Sequence, residues 1–194
     1  MTALPIVLAS ISPQRRAILG QLGIPFEVIS PSYEEEDPLE SAASDLVREH
    51  ARGKACSVAA DAGGRPVLGV DTAVVLDGRI YGKPRDAGEA AEMLDHLGGR
   101  THEVVSGLCV LTSAFEVVEH ETTRVTFRPL TPRDVAAYVS AREWEGRAGG
   151  YAIQGTGATL VERIDGDYLN VVGLPAALLV RILADRLPGV YGFG

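Results

Sequence analysis

VLGVDTAVVLDGRIYGKP, residues 67–84, decides how this chain is read. Val67 to Val70 is a continuous apolar run, as expected of a central strand buried on both faces. The run ends in Asp71-Thr72, Asp77-Gly78 is a hairpin signal, and Lys83 follows in Gly82-Lys83-Pro84. Ligands gather at the carboxyl ends of strands in an open α/β sheet. A carboxylate at a strand end and a lysine in a tight turn suit metal-assisted attack on a phosphate. Asp71 therefore reads either as a holder of Mg²⁺ or of a water, or as a residue that satisfies local backbone donors. Lys83 is either a point charge on a phosphoryl oxygen or a solvated turn lysine.

Upstream, Pro5 to Ala9 is a short apolar strand, and Ser12-Pro13 opens a helix by N-cap and N1 preference. Ile18, Leu19 and Leu22 continue it at helical spacing until Gly23. Ser10 to Arg16 thus sets two hydroxyls and two guanidinium groups about a helix N-terminus. Free N–H groups, the helix dipole and forked arginine donors there favour a phosphate; the alternative is ordinary capping beside solvated arginines. Phe26 to Ile29 is a second strand. Pro31 to Glu40 is an acidic loop, whose run Glu34 to Asp37 is either solvated or a source of a second metal ligand. Ser44 to about Ala60 is a helix with Leu46, Val47, Ala51, Ala55 and Val58 on one face. Lys54, within it, reads as a snorkelling surface lysine.

Downstream, Asp86 to Leu97 is a helix with a capping-box spacing, Asp86 to Glu89. Two long strands follow, near Thr101 to Leu111 and Val117 to Phe127, then a helix opened by Thr131-Pro132. Glu145 to Gly157 is glycine-rich and carries Gln154, whose amide offers a donor and an acceptor to a nucleobase edge, or is incidental. Ala158 to Ile164 is a strand and Leu174 to Leu187 a closing helix. Strands alternating with helices around a β-rich middle give an α/β fold with a mixed sheet and flanking helices. No linker or repeat divides residues 1–194, so one domain is expected.

Net charge is −8, which argues against nucleic-acid or anionic-membrane binding. A small anionic substrate remains open, because a few local cations and a metal can overcome that field. Hydrophobic residues make up 46% of the chain, enough for a sizeable core. Cys56 and Cys109 lack metal or redox spacing and read as reduced core residues. The four histidines, His50, His96, His102 and His120, show no ligand spacing and read as structural or exposed. Trp144 reads as packed. The opening residues lack a leader pattern and no apolar run approaches a membrane span, so a cytoplasmic protein is expected.

Taken in order, these segments resemble the Maf family of nucleoside triphosphate pyrophosphatases. The matching stretches are Leu8 to Arg15, Lys54-Ala55, Gly69 to Thr72, Gly82 to Asp86, Met93-Leu94, Gly99 to His102, Ala148 to Gly155 and Gly166 to Pro175. The resemblance implies an elongated, two-lobed α/β fold with a central cleft, similar to inosine-triphosphate pyrophosphatases. It implies hydrolysis between the α- and β-phosphates with a divalent metal, Mg²⁺ or Mn²⁺. It assigns Asp71 as general base and metal ligand. Ser10, Arg15, Lys54 and Lys83 would bind phosphate, and Glu35, or its neighbour Glu34, the metal. Gln14, Thr72 and Gln154 match specificity positions, and Ala152-Ile153-Gln154-Gly155 is similar to the dTTP/UTP branch. A branch acting on 7-methyl-GTP and a non-catalytic regulator of cell division are the alternatives. The family pattern Ser-Pro-Arg-Arg is here Ser12-Pro13-Gln14-Arg15, which loses one cation. A homodimer is the family's common form.

Overall fold

In the computed structural model, Ile6–Ala9 (β1) is buried at all four residues, so both faces of the sheet are covered there. The structure describes residues 4–35 and 42–194. The first three residues read for a leader, and Glu36 to Glu40 of the acidic loop, lie outside the described residues. The remaining elements are Pro13–Gln21 (α1), Phe26–Val28 (β2), Ala43–Val58 (α2), Val67–Leu76 (β3), Arg79–Tyr81 (β4), Ala87–Leu97 (α3), Thr101–Leu111 (β5), Glu116–Phe127 (β6), Pro132–Ser140 (α4), Val161–Asp165 (β7), Tyr168–Val172 (α5) and Ala176–Arg186 (α6).

The strands form a seven-stranded sheet in the order β2-β1-β3-β5-β6-β7, with β4 paired to β3. β1 runs parallel to β2 and β3, while β4 on β3 and β7 on β6 are antiparallel. The mixed sheet with flanking helices is the expected class. The chain forms two compact units. One gathers the chain up to Asp71 with Ser106–Glu121 and Gly173–Gly194; the other gathers Thr72–Val105 and Thr122–Val172.

In the first unit, α2 covers the face of Val7, Ala9 and Val67 through Ala51, Ala55 and Val58. Two glycines let it lie close. A Cβ on Gly69 would stand 2.0 Å from the carbonyl oxygen of Ala51, and one on Gly107 would stand 2.0 Å from that of Val47. The second unit has its own core, in which Phe127, Tyr138, Tyr151 and Leu160 are buried with Leu94 and Leu97.

Several local expectations need correction. β3 does not stop at Val70; it runs to Leu76, so Asp71 lies inside a strand. Its pairing with β1 covers Val67 to Gly69 and its pairing with β4 begins at Val74, and Asp71 falls between the two. The Asp77-Gly78 turn is the expected hairpin, with φ of 52° and 77° at the two positions. Ser12 occupies the N-cap of α1 without capping it, because its hydroxyl donates to Gln14 Oε1 at 3.0 Å. Asp86 caps α3, but Glu89 accepts from the Arg85 N–H rather than closing the box. β7 begins at Val161, three residues later than read, because Gly155–Thr159 forms a 3₁₀ turn. Cys109 is buried as expected, whereas Cys56 is exposed.

Candidate active site

The first unit brings together Ser10, Arg15, Glu35, Lys54 and Asp71, and adds His50. The cause is α2. His50 and Lys54 are one helical turn apart, so they share a face, and they lie in the stripe that also buries Val47, Ala51 and Val58. Gly69 lets that stripe approach β3 two residues before Asp71. Lys54 is therefore not a snorkelling surface lysine: it is 8% exposed, and its Nζ lies 2.6 Å from both Asp71 Oδ1 and Glu35 Oε1. His50, 2% exposed, turns Nδ1 toward the other Asp71 oxygen, Oδ2, at 3.5 Å.

Burial works against the charge on Asp71. The Lys54 ammonium, as a neighbouring charge and as a donor, outweighs it, and Arg15 and His50 add to the effect. The carboxyl is held below its usual range and stays ionised at neutral pH. Glu35, His50 and Asp71 together present ligand atoms within 4.8 Å of one another, a spacing that suits one divalent metal.

Beside this cluster, Arg15 donates from Nε to the Gly173 carbonyl and from Nη1 to Ser10 Oγ, both at 3.0 Å. The Ser12 N–H also donates to Ser10 Oγ. With two bonds accepted, the buried Ser10 hydroxyl has its proton to offer an anion. Burial lowers the Arg15 pKa and Asp71 and Glu35 raise it, and a guanidinium remains charged throughout. Gln14, partly buried, holds the Ser12 hydroxyl, and Arg16, one place after the expected second cation, is exposed.

Thr72, Lys83 and Gln154 belong to the second unit. Lys83 is exposed in the turn between β4 and α3, and the Gly149 N–H donates to the neighbouring Gly82 carbonyl at 3.0 Å. The two motif segments are thereby tied together. Gln154 is exposed at the tip of a loop pinned on both sides. On one side Tyr151 OH meets His102 Nε2 at 2.8 Å, and the Ala152 N–H donates to Tyr138 OH at 2.9 Å. On the other, Glu143 accepts from the Thr156 and Gly157 N–H groups at 3.0 and 3.1 Å. Glu34 is exposed, and Glu35 is the one that reaches Lys54.

A family model described as Maf-like protein matches residues 5–186. The chain belongs to the Maf family. Among its Maf relatives, the dTTP/UTP pyrophosphatase of Nitratidesulfovibrio vulgaris is 48% identical over 184 residues, which cover 94% of this chain and 88% of that protein. The protein of the same name from Deinococcus radiodurans is 45% identical over 193 residues, covering 100% of this chain and 97% of that one. The solved structure of the Staphylococcus aureus Ham1 protein is loosely similar, with 17% identity and a TM-score of 0.45 over 64% of this chain and 72% of that one.

His50 belongs to no sequence motif, because its partners Asp71 and Glu35 come from distant segments. Its one signal in the sequence is a polar residue at a buried position of the α2 stripe. Glu143, Tyr138 and His102 carry no local signal, since each acts through contacts distant in the chain.

Proposed function

We propose that this chain hydrolyses nucleoside triphosphates between the α- and β-phosphates, to the monophosphate and pyrophosphate, with dTTP and UTP preferred. The observation that carries this reading is Asp71: an ionised carboxylate with Lys54 on one oxygen, His50 toward the other and Glu35 alongside. The relatives at 45–48% identity, named dTTP/UTP pyrophosphatase, support the substrate class.

Glu35 and Asp71 would hold a divalent metal, Mg²⁺ first, since hard carboxylate oxygens suit it. When bound, it supplies positive charge to the phosphate oxygens and the leaving pyrophosphate. Asp71 orients the attacking water and accepts its proton. A carboxyl held this acidic is a weak base, so orientation and charge contribute more than proton affinity. The Ser10 hydroxyl donates to a phosphate oxygen, and Arg15, fixed by Gly173 and Ser10, supplies a rigid cation. Lys54 holds the two carboxylates in place and shares the phosphate charge. Lys83 supplies a further point charge, while Gln154, Thr72 and Gln14 select the base. The pinned loop around Gln154 supports that assignment, because a preorganised amide discriminates better than a mobile one.

The family match runs through both units without a break, which supports one catalytic domain. No described helix is long and apolar enough to cross a membrane. A cytoplasmic homodimer that does not bind nucleic acid completes the proposal, supported by the family resemblance and the net charge of −8.

The test is Asp71→Asn, which keeps the shape and removes the charge. Turnover should fall by about a hundredfold or more, in line with general-base contributions. Turnover within a few-fold of the parent would remove Asp71 from the mechanism.

A further inference from the structure

Two carboxylates alone make an all-oxygen site. The structure adds a nitrogen, and it holds that nitrogen still. His50 is 2% exposed and stands on α2, with its Nδ1 3.5 Å from Asp71 Oδ2. Lys54 occupies the opposite oxygen, Oδ1, so the two α2 residues divide the Asp71 carboxylate between them. The Tyr33 ring packs against His50, with centroids 5.7 Å apart and planes at 60°. Tyr33 can do so because residue 53 is glycine: a Cβ there would fall 2.3 Å from Tyr33 Cε2. Two residues beyond Tyr33 comes Glu35, the third member of the 4.8 Å group. The aromatic seat thus fixes the imidazole and the approach of Glu35 together.

We infer that His50 is a direct nitrogen ligand to the divalent metal of this site, alongside Asp71 and Glu35, and that it biases the site from Mg²⁺ toward first-row transition ions, with Mn²⁺ as the spectroscopic probe. This rests on the metal reading above and extends it. Mg²⁺ favours oxygen donors in a near-ideal octahedron, whereas imidazole suits the later first-row ions, and affinity for N/O sites rises along that row. Tyr33 and Gly53 act as positioning residues for the ligand.

The experiment is Mn²⁺ binding by the full chain without nucleotide, followed by titration calorimetry and pulsed EPR, which detects a directly bonded nitrogen. The parent protein should show one histidine nitrogen coupling, converted to the ¹⁵N pattern by ¹⁵N-histidine labelling and lost in His50→Gln. In that variant Mn²⁺ should weaken by about tenfold or more, as ligand-sphere changes do, while Mg²⁺ binding changes less than about threefold. Because the coupling is read in the parent, the test stands even if the variant folds poorly. Bound Mn²⁺ without nitrogen coupling, or coupling that survives His50→Gln, overturns the inference and leaves the carboxylate metal site standing. No bound Mn²⁺ overturns both. Neither readout depends on turnover, so failure of the hydrolysis reading is seen separately.

Discussion

Lys54 sits within 2.6 Å of two carboxylates, and its removal should expose what it compensates. In Lys54→Met, Asp71 keeps a largely buried charge without its main partner. Breaking a buried pair from one side costs about 3–5 kcal/mol; Asp71 retains some solvent, so a loss of about 2–3 kcal/mol is expected in urea unfolding, together with a drop in turnover. An unchanged midpoint would mean that solvent already screens Asp71. Asp71, Ser10 and Arg15 stand in segments that the sequence marks by strand end and helix start, whereas Lys54 enters the candidate site only through the family resemblance. What Lys54 does is not legible in the sequence. A helix stripe reports which side chains face inward, and only the close approach at Gly69 reveals that a carboxylate waits there.

Helix α2 carries two of the site's side chains, so its seating on the sheet governs the site. Gly69→Ala would drive a methyl group to 2.0 Å from the Ala51 carbonyl. Overpacking of this kind costs about 1–3 kcal/mol, and the shift of α2 should lower turnover beyond any loss of folded protein. Full activity with native stability would show that α2 can lift without disturbing Lys54. A control lies in α4, where Thr131 and Asp134 form a complete capping box: the Asp134 N–H donates to the Thr131 hydroxyl and the Thr131 N–H to Asp134 Oδ2. Thr131→Ala should cost about 1 kcal/mol of stability and leave turnover unchanged. The helix starts, the Asp77-Gly78 hairpin and the long strands could be read from caps, turns and periodicity. The end of β3 could not, because Asp71-Thr72 looks like a break, yet the strand continues from its β1 pairing to its β4 pairing. The start of β7 was hidden likewise, since the turn before it is held by Glu143 from another segment.

The two units answer to different tests. In the second, burial pushes the His102 imidazole from an ordinary 6.5 down to about 4. The unfolded chain therefore binds one more proton between those values. Stability is fully present above about pH 6.5 and falls as pH drops toward 4, by roughly 3 kcal/mol in total. Urea unfolding at pH 7 and pH 4.5 should show most of this loss in the parent and a much smaller one in His102→Gln; equal losses would mean that other groups set the acid sensitivity. Gln154→Glu, at the tip of the pinned loop, should turn relative activity away from dTTP and UTP, measured as kcat/KM ratios across bases. An unchanged ratio would remove Gln154 from base selection. The decisive measurement is product release from a panel of nucleoside triphosphates with Mg²⁺, with pyrophosphate and orthophosphate scored separately. Pyrophosphate and monophosphate, fastest from dTTP and UTP, is the expected result. Orthophosphate as the first product, or no turnover of any triphosphate, would contradict it.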